Sequence, residues 1–350
     1  MTLTRALPLL LLFMVNSALA DASSDFAALL DDAWEWQLAE NPTMASRLGD
    51  RRYNDRWADL SLDAFDRRRS QQQAFQSRLR AIDPAQLDAD EQLNYDLFLR
   101  ELQDDLDAYQ YRAYLMPINQ RGGVQSLEST AEGLRLESVN DYEDWLKRME
   151  QVPNYVEQTM ALQEEGRRTG YMPPKILMER IPAQLAQQLT EDPEQSPFFG
   201  VFRELPDSIP VNEQQRLQRR AKDVIAKHIV PAYRELSRYF DDRYLPASRE
   251  TIGASELPNG KAFYEYRTRS FTTTSMTPEE IHRLGLNEVK RIRAEMQLII
   301  DELEFAGSFA DFLQFLRTDP QFYYDTPEAL YEAYLAICKR IDPELDSKRW

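Results

Sequence analysis

The histidines and the cysteine of the chain are its residues best suited to metal binding or nucleophilic chemistry. His228 and His282 are the only histidines, 54 positions apart, and Cys338 is the only cysteine. No H-E-x-x-H sequence is present, so no two histidines one helical turn apart can bind zinc. A single cysteine also excludes an intrachain disulfide. We therefore expect structural histidines, a buried Cys338 thiol, and neither a metal ligand nor a catalytic residue in this set.

Adjacent carboxylates are frequent and could serve acid–base chemistry. Examples are Asp104-Asp105, Asp241-Asp242 and Glu279-Glu280. Such pairs arise by composition in an acidic chain, and acid–base catalysis needs two carboxylates in different environments, which a sequence does not define. There is also no G-x-S-x-G, phosphate-binding loop or dinucleotide fingerprint. These patterns therefore assign no catalytic residue.

Two arginines and two tyrosines form the most specific candidate for ligand binding. They are Tyr264, Tyr266, Arg267 and Arg269, in a segment rich in aromatic residues and threonine. This composition predicts a strand over Lys261–Thr274. Residues two apart in a strand face the same side, so both arginines could hold the carboxylate of an extended peptide. The alternative is that they pair with the protein's own acids.

The composition limits the fold and the partners. The chain has 350 residues, with 42 Lys and Arg against 59 Asp and Glu, for a net charge of −17. This acidity argues against binding to nucleic acid or to an anionic membrane. The hydrophobic content is 43%, with only 11 glycines and 19 prolines. We expect a mostly α protein, a multi-helix array with one short strand region at Lys261–Thr274.

The first twenty residues predict export. Arg5 precedes an apolar stretch, and Ala18-Leu19-Ala20 forms a small-residue cleavage signal. The apolar stretch is shorter than the ~20 residues of a membrane span, so we interpret residues 1–20 as a signal peptide cleaved after Ala20. The mature protein would then be periplasmic or secreted. We expect residues 21–350 to form a single helical domain.

Several segments have amphipathic helical spacing. They include Ser24–Glu40, Leu62–Ile82, Ala89–Tyr111 and Asn212–Tyr244, the last broken or kinked at Pro231. A further helix begins at Thr277-Pro278-Glu279-Glu280, which combines an N-cap, a first-turn proline and a capping-box glutamate. It should run to about Glu304.

Longer sequence motifs give the chain a family resemblance. They are Gly170–Lys175 (GYMPPK), Tyr244–Gly253 (YLPASRETIG), Leu257–Lys261 (LPNGK), Tyr264–Arg267 (YEYR), Thr272–Leu286 (TTTSMTPEEIHRLGL) and Phe315–Pro320 (FLRTDP). Together these segments resemble the exported bacterial proteins of domain of unknown function 885. The resemblance extends over essentially the whole mature chain.

The resemblance implies a chemistry that this chain does not contain. It implies a gluzincin-type zinc metallopeptidase, mostly helical and built around a deep cleft. Its zinc would be bound by an H-E-x-x-P-G-H-H helix and a later glutamate in the C-terminal portion. That motif is absent here, so no zinc ligand or catalytic glutamate can be transferred. We expect the chain to be the N-terminal portion of such a protein, truncated before the zinc-binding portion.

These observations give one main function and two alternatives. The main expectation is the N-terminal portion of an exported zinc-metallopeptidase-like protein, without cofactor and inactive alone, whose intact relatives bind zinc and hydrolyse peptides. Its substrate-binding residues would be Tyr264, Tyr266, Arg267 and Arg269. The alternatives are a non-catalytic periplasmic module that binds peptide or assembles with a separate C-terminal half, and an inert fragment.

Overall fold

The chain folds into two compact units of helices, Met1–Thr274 and Ser275–Trp350. A computed structural model describes the backbone of residues 7–345 and the side chains of residues 22–345, so the side chains of the predicted signal peptide lie outside it. None of the described helices has both the length and the hydropathy of a membrane span. A single domain over residues 21–350 stays a prediction.

The first unit consists of helices joined by turns, loops and short 3-10 helices. Its helices are α1 (Leu7–Glu40), α2 (Pro42–Arg47), α3 (Leu62–Ala81), α4 (Ala89–Gln110), α5 (Val139–Glu150), α6 (Val152–Thr169), α7 (Lys175–Met178), α8 (Ile181–Ala186), α9 (Gly200–Arg203), α10 (Val211–Val224), α11 (Val230–Tyr239), α12 (Leu245–Ala247) and α13 (Gly260–Thr272). Within the described residues the extended pairings are isolated bridges, Asn119 with Gly122 and Pro174 with Arg249. The mostly α fold is confirmed.

Helix ends follow the local sequence. At the start of α3, the Ser61 side chain accepts a hydrogen bond from the Ala64 amide. Asp88 and Glu91 form a capping box at the start of α4, satisfying amide groups that have no partner within the helix. The predicted boundaries of α3 and α4 are therefore correct to within one residue.

The predicted strand Lys261–Thr274 is wrong, because this segment forms helix α13. Asn259 adopts a left-handed conformation with φ of 55° and turns the chain into the helix. Phe263 and Tyr266, three residues apart, both contact the Tyr111 ring, at centroid distances of 5.4 and 5.2 Å. This i, i+3 pairing needs a helix, so tertiary packing outweighs the β-propensity of the aromatic residues.

The helical segment around Pro231 does not break. A π-helical turn at Ile225–Ile229 joins α10 to α11, and a second at Phe240–Tyr244 joins α11 to α12. Each π turn ends two residues before a proline, Pro231 or Pro246. Proline has no amide hydrogen to donate to the preceding turn, and a wider turn adapts the helix to that loss. The chain therefore passes both prolines in helical form.

The first unit contains two main hydrophobic clusters. The larger packs α5, α6, α8, α10 and α11 around Trp145, Phe198, Phe202, Tyr233 and Phe240. The second joins α1, α3 and α4 through buried side chains that include Phe26, Leu29, Phe75, Leu79 and Leu102.

The second unit has a different burial pattern. Its helices are α14 (Pro278–Glu302), α15 (Phe309–Thr318) and α16 (Pro327–Leu345). The predicted capping box at Thr277 is confirmed, because the Thr277 hydroxyl accepts from the Glu280 amide and Glu280 accepts from the Thr277 amide. Among residues 275–345, Ile300 is the one buried residue. Apolar side chains on these helices are therefore largely exposed.

Candidate functional site

The four predicted ligand-binding residues lie on α13 and do not share a face. In a helix, residues two apart differ by about 200°, so Arg267 and Arg269 point in different directions. The Arg267 guanidinium lies over the Phe271 ring, 4.3 Å from its centroid, whereas Arg269 and Tyr264 are exposed. The paired-arginine face therefore does not exist, although binding by these residues stays a prediction.

Tyr266 has a structural environment. It is buried, stacks on Tyr111, and its hydroxyl donates to the Asp104 carbonyl at 2.9 Å. Burial raises the pKa of the Tyr266 hydroxyl, so it stays neutral and continues to donate at physiological pH. Tyr266 therefore attaches α13 to α4.

Two of the sequence motifs that carry the family resemblance meet in space. Arg249, in the second motif, accepts through its carbonyl from the Lys175 amide at 2.8 Å and donates through its amide to the Pro173 carbonyl at 3.2 Å. Its side chain donates to the carbonyls of Met172, at 2.9 Å, and Gly253, at 2.7 Å. Arg249 thus connects the two motifs through hydrogen bonds from both its backbone and its side chain. Because Nε and Nη1 of its guanidinium donate to backbone carbonyls, this junction stabilises the fold.

A cavity in the first unit is the feature that the sequence analysis missed. It has a volume of about 300 Å³ and lies among α1, the chain before α3, α3 and α4. Aromatic side chains from all three helices line it, namely Trp36, Phe65, Phe75 and Phe98. In the sequence these residues fit the core-facing spacing of amphipathic helices. Their shared position around a cavity depends on how the helices pack.

Polar groups at this cavity are partly paired. Arg68 Nε donates to Glu40 Oε2 at 2.7 Å, and Arg68 Nη2 donates to the Asp59 carbonyl at 2.6 Å. Gln72 Nε2 donates to Asp105 Oδ2 at 2.7 Å. Glu101, one helical turn before Asp105, also lines the cavity. The cavity therefore combines apolar walls with an acidic edge.

The potential metal-binding and nucleophilic side chains do not come together. Cys338 is exposed, so the predicted buried thiol is wrong. The reason is that most side chains of α16, including that of Cys338, remain in contact with solvent. His282 is exposed on α14, while His228 is half-buried in a π turn of the first unit. Among the described residues, no group of three or more His, Cys, Asp or Glu side chains is placed to bind a metal ion. These donor residues do not fit a zinc site.

Comparisons with known proteins address the fold and the family. A structure described as that of "the putative lipoprotein from Colwellia psychrerythraea" superposes with a TM-score of 0.73 at 18% identity. The match covers 93% of this chain and 59% of the Colwellia chain, so this chain spans less than two thirds of that relative. At this identity the similarity establishes a shared fold. No curated protein matches the chain.

The family profile covers most of the sequence, including both motifs that meet at Arg249. Residues 42–349 match the family described as "Bacterial protein of unknown function (DUF885)". On this match, the chain belongs to the DUF885 family.

Proposed function

We propose that this chain is the non-catalytic N-terminal portion of an exported zinc-metallopeptidase-like protein, and that α14 and α16 form its docking surface for the catalytic portion. The observation that carries the proposal is the exposed apolar face of the second unit. In water, such a face costs free energy unless another surface covers it.

The exposed apolar residues form rows with helical spacing. On α14 the row is Val289, Ile292, Met296 and Ile299, continued by Leu303 at the C-cap; on α16 it is Leu330, Tyr334, Ile337, Ile341 and Leu345. Steps of three and four residues place each row on one side of its helix. Rows of this kind suit a helical partner with an apolar face of its own.

The coverage of the structural relative suggests what the partner is. The matched fold accounts for 59% of the Colwellia chain, so a substantial part of that chain has no counterpart among the superposed residues. The family resemblance places the zinc-binding motif in a C-terminal portion. We take that portion to be the occupant of the α14 and α16 rows. It would also supply the zinc ligands, because no group of residues described here is placed to bind a metal ion.

Assembly with a separately produced C-terminal portion tests the proposal. The present chain would be mixed with the corresponding portion of a family member that contains H-E-x-x-H. Light scattering would measure complex formation, metal analysis the bound zinc, and a peptide library the hydrolysis. We expect a complex with one zinc and peptide hydrolysis, while the chain alone shows neither. One equivalent of tightly bound zinc on the chain alone would overturn the proposal.

Substitutions on α14 locate the interface. Ile292→Lys places a charge within the apolar row and should weaken the complex by about tenfold or more, since burying an unpaired charge is costly. Asn287→Lys is the matched control, because Asn287 is an exposed residue of the same helix outside the row. Equal weakening by the two variants, or none by either, would contradict docking on this face.

Peptide binding by α13 is proposed as a secondary role in the assembled protein. Tyr264 and Arg269 are exposed there, and Arg267 is half-buried. Arg267→Ala and Arg269→Ala, tested in the complex, should lower peptide affinity if these side chains contact substrate. Peptide affinity of the chain alone without turnover would instead favour a binding module.

A further inference from the structure

The cavity between α1, α3 and α4 has the size and the walls of a small-molecule site. Its volume of about 300 Å³ is at the lower end of the range for ligand pockets. Trp36 and Phe75 meet edge to face, with ring centroids 5.5 Å apart, and Phe65 and Phe98 complete the aromatic lining. Such walls favour an apolar or aromatic group, and ring faces also attract cations.

The charges at this cavity are unbalanced. Arg68 is occupied by the Glu40 carboxylate and the Asp59 carbonyl. Among the described residues, neither Glu101 nor Asp105 forms an ion pair, and the amide of Gln72 is the partner of Asp105. Two solvent-exposed carboxylates one helical turn apart on α4 therefore lie at the edge of the cavity without an ion-pair partner of their own.

The environment of Asp105 disfavours its charge. Partial loss of water around the carboxyl raises its pKa, and the carboxylates of Glu101 and Asp104 raise it further. A bound cation would favour the charged carboxylate, and this would offset both the loss of water and the repulsion between the carboxylates.

We propose that this cavity binds a primary ammonium group carried on an aromatic or branched aliphatic group. The apolar part would occupy the space between the rings of Trp36, Phe65 and Phe98. The ammonium would donate charge-assisted hydrogen bonds to Glu101 and Asp105. An anion would be repelled by these carboxylates, and a neutral analogue would lose the charge-assisted bonds. This inference concerns the first unit alone and does not depend on the proposed function.

Calorimetry with phenethylamine tests the proposal on the full chain. We expect phenethylamine to bind at least about tenfold more tightly than 2-phenylethanol, which has a similar shape but no charge. Asp105→Asn and Glu101→Gln should each weaken phenethylamine binding severalfold and leave 2-phenylethanol unaffected. Asp96→Asn is the control, since Asp96 is an exposed residue of α4 outside the cavity lining and its replacement makes the same change in charge.

Other outcomes would overturn the proposal. Equal binding of the amine and the alcohol would indicate a purely apolar cavity. Equal weakening by Asp96→Asn and Asp105→Asn would indicate attraction by overall negative charge. No binding of phenethylamine to a chain with an unchanged thermal midpoint would exclude the site.

The ammonium could belong to a free amine or to the N-terminus of a peptide. Phe-Gly-Gly-amide and its N-acetylated form separate these sources. Binding of the first but not of the second would extend the site to peptide N-termini. If neither tripeptide binds and phenethylamine does, the cavity is specific for small amines.

Discussion

At the scale of single residues, a buried arginine connects distant parts of the first unit. Arg148 on α5 is fully buried, and its Nη2 donates to Ser46 Oγ at 3.0 Å and to the Tyr53 carbonyl at 2.6 Å. Its guanidinium lies 5.3 Å from the centre of the Trp57 ring. Burial lowers the pKa of Arg148 to about 10, so it remains charged at neutral pH. Nε and Nη1 have no hydrogen-bond partner among the described residues, which makes this charge costly.

Substitutions at Arg148 should separate the effects of volume and charge. Arg148→Ala leaves a cavity and removes the hydrogen bonds to Ser46 and Tyr53, so we expect a loss of about 3–5 kcal/mol in the free energy of unfolding. Arg148→Met keeps much of the side-chain volume and removes the incompletely paired charge. Its free energy of unfolding should therefore fall clearly less than that of Arg148→Ala. Denaturant unfolding measures the free energy of unfolding of both variants.

The neighbouring Lys147 provides the control for Arg148. Its side chain is exposed and pairs with Asp144 at 2.9 Å, so Lys147→Ala should change stability by about 1 kcal/mol or less. If Arg148→Ala costs no more than Lys147→Ala, the connecting role is wrong.

At the scale of elements, α13 shows how a turn and its packing determine secondary structure. Its first residue, Gly260, lies close to the preceding turn. A Cβ atom at this position would be 2.3 Å from the Ala254 carbonyl oxygen and 2.6 Å from that of Ser255. A side chain is therefore excluded by backbone atoms, which cannot move aside cheaply.

Gly260→Ala should accordingly destabilise the first unit by about 1–3 kcal/mol, as overpacking does. Gly200→Ala is the matched control. Gly200 begins α9 with helical φ and ψ of −48° and −51°, and a Cβ there meets nothing within 4 Å. That change should be neutral or stabilising by up to about 1 kcal/mol. Chemical unfolding of both variants provides the test, and equal effects would show that the turn adjusts without cost.

At the scale of the whole molecule, the two units differ in how much apolar surface they bury. The first has extensive clusters of buried aromatic and aliphatic residues, whereas Ile300 is the one buried residue in the described part of the second. Because apolar burial is the main source of stability, the second unit should open at a lower free energy than the first.

Hydrogen exchange at increasing denaturant measures this difference. We expect amides of α14 and α16 to exchange through low-energy openings, while those of α10 and α11 exchange only by unfolding of the first unit. Equal protection in the two units would contradict the expectation. Addition of the docking partner should raise protection in α14 and α16 selectively.

The outcomes of the sequence predictions separate local information from information that depends on packing. Thr277 and Glu280 were correctly predicted to begin a helix, because a capping box requires only neighbouring residues. The prediction of a strand for the α13 segment is wrong, because its helix depends on contacts of Phe263 and Tyr266 with Tyr111, which is more than 150 positions away in the chain. The cavity was missed for the same reason.

The sequence by itself determined the helical class, the boundaries of α3 and α4, the start of α14, and the motifs of the family. Helical periodicity, caps and motifs are properties of short segments, so the sequence alone is enough to recognise them. The tertiary structure decided that α13 is a helix, that Arg249 connects two motifs, and that Trp36, Phe65 and Asp105 surround one cavity. These features arise from contacts between residues distant in the chain, whose free energy depends on how the helices pack.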